Sequence, residues 1–207
     1  MNLIKKNIPI AIILLFHLVG FVGFILNPGY FRSLSPLNLL LSAGLVLLMS
    51  GQKKWQFYFA FLAVALIGFI VEVLGVKTEM IFGSYYYGHS FGLKYFSVPL
   101  LIGLNWAMLL YSTSQFVTFK NKWINAFFGS VLMVLLDFFI EQSAARFDFW
   151  YWKDAQIPLQ NYLAWFIISF GLNVLFQPIL NQKQNLTAKA FYIIELVFFF
   201  SLYFFVK

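Results

Sequence analysis

Long apolar stretches occupy most of this chain, and they constrain its fold more than any other feature. The seven stretches cover residues 8–26, 37–51, 55–76, 96–118, 123–140, 159–179 and 186–206. A helix of about 20 apolar residues crosses the hydrocarbon core of a bilayer. The stretches lack the alternation of a membrane strand, which argues against a barrel. We therefore expect an all-α, polytopic integral membrane bundle of about seven transmembrane helices, formed as a single domain over residues 1–207.

The composition supports the membrane interpretation and excludes other classes of protein. Charged residues make up 10% of the chain and hydrophobic residues 62%, whereas about 25% of residues are charged in soluble domains. A soluble globule with so few charges could not cover its surface with polar groups. The chain has no cysteine, which excludes a disulfide scaffold.

The basic residues between the apolar stretches predict the orientation of the bundle. With a cytoplasmic N-terminus, the cytoplasmic segments carry no acid and eight lysines, namely Lys5, Lys6, Lys53, Lys54, Lys120, Lys122, Lys183 and Lys189. The opposite side carries Arg32, Lys77, Lys94, Arg146, Lys153 and Lys207, mixed with acidic residues. This bias is the one expected when positive loops face the cytoplasm. Because the lysines are dispersed over short loops, they do not indicate a nucleic-acid partner.

Six of the seven acids are predicted to gather toward the outer face. Glu72, Asp137 and Glu141 lie in the outer halves of their helices, and the i,i+4 spacing puts the last two on one helix face. An ionisable residue within a span is a functional candidate by default. Apolar surroundings and a neighbouring carboxylate both favour a neutral acid, which can donate a proton.

A structural role remains open for each of these acids. Asp137 and Glu141 could form a buried pair with Arg146, with Lys94 or with tyrosine hydroxyls. Glu195 lies deeper, where a hydrogen bond to another helix would explain it.

Two predicted outer loops are rich in aromatic residues. Residues 77–95 contain three consecutive tyrosines, Tyr85 to Tyr87, and residues 142–158 contain Trp150 and Trp152. We expect these loops to fold back and line a cavity at the outer interface. Anchoring of the rings at the bilayer interface is the alternative. His89, in the first loop, is expected to form hydrogen bonds.

The residues that are missing narrow the chemistry. The chain has no cysteine and only two histidines, and it has no aspartate-rich DDxxD motif, GxGxxG motif or P-loop. We therefore expect no metal and no cofactor. A carboxylic acid could instead protonate an isolated alkene, with aromatic faces stabilising the carbocation. Water or an internal double bond would then quench the cation, which gives hydration or cyclisation.

Four fragments in order resemble a known family. They are Glu72 with Gly75, Thr78 and residues 81–87; Val98-Pro99 with Trp106; Asp137 with Glu141 and residues 150–152; and residues 157–158 with Asn161 and Trp165. Their spacing is similar to that in membrane carotenoid-biosynthesis proteins that hydrate carotenoid end groups, such as γ-carotene 1′-hydratase and bisanhydrobacterioruberin hydratase. Gln142 stands where that family often has proline, and Ala164 where glycine is common.

The resemblance implies a cofactor-independent hydratase that adds water across the 1,2 double bond of an acyclic carotenoid ψ-end group. Asp137 would be the acid, Glu141 would position water or share the proton, and Glu72 would be the alternate acid. The implied substrate-binding residues are Tyr85, Tyr87, Trp106, Trp150, Trp152, Asn161 and Trp165. The implied partners are a γ-carotene or lycopene-type carotenoid and the lipid bilayer, in the inner (cytoplasmic) membrane of a bacterium or archaeon. A lycopene-type cyclase and a non-enzymatic lipid- or pigment-binding protein are the alternatives.

Overall fold

The computed structural model describes residues 3–205, and α-helices form most of that range. The helices are α1 (Leu3–Leu26), α2 (Pro28–Arg32), α3 (Ser35–Leu48), α4 (Trp55–Thr78), α5 (Leu101–Ser114), α6 (Lys122–Ala144), α7 (Leu159–Leu180) and α8 (Leu186–Phe205). The short strands are β1 (Tyr85–Tyr87), β2 (Lys94–Tyr95), β3 (Val98–Pro99) and β4 (Trp150–Trp152). Lys207, predicted on the outer side, lies outside the described residues, as do the side chains of Lys5 and Lys6.

Five helices in the described part of the chain are long and apolar enough to cross a membrane. They cover Asn7–Leu26, Trp55–Thr78, Lys122–Ala144, Leu159–Leu180 and Leu186–Phe205. Large apolar side chains are exposed along all five, as expected for helices that face lipid. The predicted all-α membrane bundle is confirmed.

The predicted number of seven transmembrane helices is not confirmed. Helices α3 and α5 contain 14 residues each. At 1.5 Å per residue such a helix is about 21 Å long, which is shorter than the hydrocarbon core of about 30 Å.

The predicted span over residues 96–118 becomes a shorter helix, because a turn occupies its first part. Phe96 and Ser97 have positive φ angles of 51° and 67° and connect the antiparallel strands β2 and β3. Helix α5 therefore begins only at Leu101. Every residue from Trp106 to Ser114 is buried, since α4, α6, α7 and α8 pack around this helix. A helix enclosed in this way can be shorter than the bilayer, because other helices cover it.

The helices that carry the predicted site pack against one another. Helix α6 contacts α7, and α4 contacts both α5 and α7. The C-terminal ends of α4 and α6 lead into the two aromatic loops, and β1 of one loop pairs with β4 of the other. This pairing brings both loops to one end of the bundle.

Candidate active site

An aromatic lid, formed by β1 and β4, covers one end of the bundle. The strands pair antiparallel, with Tyr85 opposite Trp152, Tyr86 opposite Tyr151 and Tyr87 opposite Trp150. Successive side chains of a strand point to opposite faces. Tyr85 and Tyr87 are therefore buried, at 5% and 7% exposure, whereas Tyr86 is 51% exposed. Two of the three consecutive tyrosines thus lie on the inner face of the strand, and the third lies on its outer face.

The outer face of the lid and the loops beside it are held by local contacts. The rings of Tyr86 and Tyr151 stack with centroids 5.3 Å apart, and the Gly88 amide donates to the Phe149 carbonyl at 2.9 Å. A Cβ atom at Gly88 would lie 2.2 Å from the carbonyl oxygen of Asp148. Only glycine therefore allows the two loops to approach this closely.

Glu72, on α4, is buried beneath the lid and accepts three hydrogen bonds. Its Oε2 accepts from the hydroxyls of Tyr85, at 2.6 Å, and Tyr87, at 2.8 Å. Its Oε1 accepts from the Trp106 indole at 2.9 Å. The donors come from β1 and α5, so the carboxyl group ties the lid to two helices.

Glu141 and Asp137, one turn apart on α6, share a single amide. The Nδ2 of Asn161 donates to Asp137 Oδ2 at 3.2 Å and to Glu141 Oε1 at 3.0 Å. Glu141 Oε2 also accepts from the indoles of Trp150, at 2.9 Å, and Trp152, at 2.8 Å. Glu141 therefore has three nitrogen donors, whereas Asn161 is the one hydrogen-bond donor to Asp137 among the described residues.

A small cavity of about 30 Å³ lies beside Glu72, Glu141 and Asn161. It is lined by Glu72, Phe82, Tyr85, Tyr87, Ile102, Asn105, Glu141, Trp150, Trp152, Asn161 and Trp165. Trp165 stacks on Trp106 with ring centroids 4.0 Å apart. A cavity above about 10–15 Å³ with polar partners can hold a water molecule. The space beside Glu72 and Glu141 is therefore large enough for water.

The structure brings all ten predicted site residues into one cluster. Glu72, Glu141, Asn161, Trp165 and the four inward-facing lid residues line the cavity, Trp106 contacts Glu72 and Trp165, and Asp137 contacts Asn161. No group of three His, Cys, Asp or Glu side chains within the described residues is arranged to hold a metal ion.

Burial shifts the acidity of the lid tyrosines. Burial and the neighbouring Glu72 carboxyl group raise the pKa of both Tyr85 and Tyr87 well above the usual range. Both side chains are therefore neutral hydroxyl groups that donate to Glu72.

Two acids beside the lid are stabilised as carboxylates. Hydrogen bonds from Lys153 and Ser84 lower the pKa of Glu79. Burial alone would raise the pKa of Asp148, but it is lowered overall, because the His89 amide and the Tyr151 hydroxyl donate to this carboxylate and Arg32 lies nearby. Asp154 is exposed.

Lys94 and Arg146, which were considered as partners of Asp137 and Glu141, do not form ion pairs with them. Lys94 donates to the carbonyl of Tyr87 at 2.7 Å, and Arg146 is exposed. The indoles of Trp150 and Trp152 occupy the positions next to Glu141 instead.

Sequence reasoning missed three residues of the cavity wall, Phe82, Ile102 and Asn105. Phe82 lies within the fragment 81–87, and that fragment was the signal that could have identified it. Ile102 lies four residues before Trp106 on α5, so the helical repeat from the tryptophan would have indicated it. Asn105 is the direct neighbour of Trp106, and no such repeat indicates it.

A second polar cluster includes His17 and Asn38, two residues that were not predicted to lie near Glu195. The Nε2 atom of His17 lies 3.2 Å from Glu195 Oε1 and 3.4 Å from Asn38 Nδ2, while Nδ1 donates to the Ile13 carbonyl. Glu195 of α8 therefore forms a hydrogen bond to another helix, α1, which is the structural role considered for it from the sequence.

Comparison with known families assigns most of the chain to one family. A family model described as "Carotenoid biosynthesis protein" matches residues 34–207. The chain belongs to this family. The comparisons with curated proteins and with solved structures gave no match. The matched residues include α3 to α8 and the lid, and therefore every member of the cluster around Glu72, Asp137 and Glu141.

Proposed function

We propose that this protein hydrates the acyclic ψ-end group of a carotenoid, adding water across its 1,2 double bond to give a tertiary alcohol. The observation that carries the proposal is the water-sized cavity, which two carboxyl groups and several aromatic faces enclose within a membrane bundle. Membership of the carotenoid biosynthesis family supports the substrate class.

The cavity favours hydration over cyclisation as the fate of the cation. Cyclisation uses an internal double bond and requires no second reactant in the site. Hydration needs a water molecule held beside the cation. The carboxyl oxygens of Glu72 and Glu141 and the amide of Asn161 line a space of about 30 Å³ and can hydrogen-bond such a water molecule.

The numbers of hydrogen-bond donors support Asp137 as the acid. Glu72 and Glu141 each accept three hydrogen bonds, an arrangement that suits a carboxylate. Asp137 is 1% exposed and receives one hydrogen bond from the described residues, from Asn161. Its carboxyl group can therefore keep an O–H free for donation.

The reaction balances without a cofactor. Asp137 transfers its proton to C2 of the end group, and the alkene electrons form the new C–H bond and leave a tertiary cation at C1. Water then attacks C1 and releases a proton to Glu141, and return of this proton to Asp137 restores the acid. The net change is the addition of one water molecule.

The aromatic wall and the carboxylates can stabilise the cation. Tyr85, Trp150, Trp152 and Trp165 present rings to the cavity, and ring faces attract a cation. Negative charge fixed beside developing positive charge lowers the barrier further.

The test is expression in a bacterium that makes γ-carotene or lycopene, with product analysis by mass spectrometry. The wild-type protein is expected to give a product heavier by one water. Asp137→Asn is expected to lower that product at least about 100-fold, the contribution of a general acid. Asp154→Asn is the matched control, because its side chain is exposed.

Three outcomes would contradict the proposal. Full hydration by a folded Asp137→Asn variant would remove Asp137 as the donor. A product of unchanged mass but altered structure would indicate a cyclase. Carotenoid recovered bound and chemically unchanged would indicate a binding protein.

A further inference from the structure

A second and larger cavity, of about 180 Å³, is lined by Trp150 of the lid and by residues of several helices. Helices α1, α2, α3, α5, α6 and α8 and the two aromatic loops form its wall, and we call it the chamber. Most of its wall is apolar, with Phe24, Phe31, Leu109, Leu136 and Phe199 among its side chains. None of the predicted site residues except Trp150 lies on it.

The chamber adjoins the small cavity that Glu72 and Glu141 line. Asn105 and Trp150 line both spaces. Trp150 is also the side chain that donates to Glu141. A molecule in the chamber that contacts Trp150 is therefore separated from Glu141 by that one side chain.

The chamber borders the lipid-facing surface between α1 and α3. Three of its lining residues, Phe16, Val19 and Leu37, are 44%, 52% and 58% exposed. They lie on the apolar helices α1 and α3, whose exposed apolar side chains are suited to contact with hydrocarbon. The chamber can therefore exchange apolar molecules with the bilayer.

The size of the chamber suits the end of an isoprenoid chain. An apolar protein cavity of about 150 Å³ takes up a molecule the size of benzene. At about 180 Å³ the chamber holds a branched hydrocarbon end group. The remainder of a long chain would extend between α1 and α3 into lipid.

We propose that the chamber is the binding site for the end of an acyclic isoprenoid, which enters from the bilayer between α1 and α3 and lies with its end group against Asn105 and Trp150, the two residues that the chamber shares with the small cavity. That the bound isoprenoid is a carotenoid rests on the proposed function. Helix α1 lines part of the chamber, although it precedes the region that the family model matches, residues 34–207.

Filling the chamber tests the site without touching the acid cluster. Gly20 lines the chamber, and a Cβ atom there would lie 3.7 Å from the Phe198 ring, an ordinary contact. Gly20→Leu therefore places its added bulk in the chamber. Gly44→Leu is the matched control, because Gly44 is exposed on α3 and a Cβ atom there meets nothing within 4 Å.

Gly20→Leu is expected to lower hydrated product at least about tenfold, because a displaced end group misses the acids. Gly44→Leu should stay within about twofold of wild type, as surface substitutions do. Wild-type product levels from folded Gly20→Leu would overturn the chamber as the binding site.

A binding experiment separates this proposal from the hydratase itself. The chain has no cysteine, so Gly20→Cys carries a unique thiol that N-ethylmaleimide can label. Squalane is a saturated acyclic isoprenoid with no double bond to hydrate. It is expected to slow labelling of Gly20→Cys and to leave labelling of Gly44→Cys unchanged.

The outcomes are distinguishable. Labelling of Gly20→Cys that squalane does not slow would overturn the chamber, whether or not the wild-type protein hydrates carotenoids. Protection by squalane in a protein that yields no hydrated product would support the chamber and reject the hydratase.

Discussion

Three carboxyl groups occupy one site, and their hydrogen-bond donors distinguish them. Glu72 and Glu141 each accept three hydrogen bonds from hydroxyl, indole or amide groups, and Asp137 accepts one from the described residues. In apolar surroundings each unmatched polar group is costly. We therefore expect Glu72 to have a structural role, Glu141 to accept the proton that water releases, and Asp137 to be the side chain free to donate a proton to the alkene.

Glu72→Gln tests this division of roles. Glu72 accepts hydrogen bonds from two hydroxyl groups and one indole. The NH₂ group of a glutamine would face one or more of these donors and could not accept from them, so buried donors would be left unpaired. We expect a loss of about 1–3 kcal/mol in the free energy of unfolding, measured by thermal unfolding of the purified protein. Asp137→Asn, with fewer donors to disturb, should lose less. Wild-type stability of Glu72→Gln combined with complete loss of product would instead identify Glu72 as the acid.

Trp152→Phe tests whether the indole positions Glu141. The substitution keeps an aromatic ring but removes the N–H that donates to Glu141 at 2.8 Å. We expect about a tenfold decrease in product formation, the size of one hydrogen bond to a charged group. Trp123→Phe is the control, because Trp123 is an exposed residue of α6. Equal activity of both variants would leave Trp152 as an interfacial anchor.

At the scale of elements, the pairing of β1 with β4 turns alternate side chains of the lid toward the site. The β1–β4 register turns Tyr85 and Tyr87 toward Glu72 and leaves Tyr86 outside, stacked on Tyr151. The adjoining loop is fixed by Asp148, which accepts hydrogen bonds from the His89 amide at 3.1 Å and the Tyr151 hydroxyl at 3.0 Å. The lid is therefore stabilised at both its inner and its outer face.

Asp148→Asn tests the electrostatic part of this arrangement through its pH dependence. The pKa of Asp148 is lowered in the folded protein, so its carboxylate stabilises the fold above the unfolded pKa of about 3.9. That contribution disappears as the pH falls through the lower folded value. The wild-type protein should therefore unfold at higher temperature than Asp148→Asn near neutral pH, and the difference should shrink below about pH 4.

The control for this prediction is Asp154→Asn, since Asp154 is an exposed acid of the same loop. A difference between wild type and Asp148→Asn that is equally large at pH 3 and pH 6 would mean that packing, not charge, sets the role of Asp148.

At the scale of the molecule, the polar cluster on the chamber wall joins the first helix to the last. His17 of α1 contacts Glu195 of α8 and lies near Asn38 of α3. Helices α1 and α8 also pack together along their apolar faces. The cluster thus adds hydrogen bonds at a helix interface that the hydrophobic effect alone cannot hold in lipid.

Glu195→Leu is expected to lower the free energy of unfolding by about 1–3 kcal/mol, because the buried His17 ring loses a hydrogen-bond partner. Thermal unfolding in detergent measures this change. The double variant with His17→Leu should recover part of the loss, since neither buried group is then left unpaired. No recovery in the double variant would show that the two side chains act independently.

Much of the fold and of the site could be predicted from the sequence, because the signals are local. Apolar stretches located the long helices, since spanning a membrane depends on the hydropathy of contiguous residues. Position along each helix placed Glu72, Asp137 and Glu141 toward one end, and the aromatic fragments identified the lid residues. The span predicted over residues 96–118 was too long, because the turn at Phe96 and Ser97 depends on strand pairing and not on hydropathy.

Tertiary structure alone decided which groups meet. Trp106 donates to Glu72 from a position 34 residues away, and Asn161 reaches Asp137 from 24 residues away. No local pattern reports such contacts, because helix packing and the β1–β4 register create them. The sequence by itself determined a membrane bundle with candidate acids and aromatic loops. Packing determined which acid has the fewest hydrogen-bond donors, where a cavity can hold water and where an apolar chamber lies, because these properties depend on side chains that come together only in the folded chain.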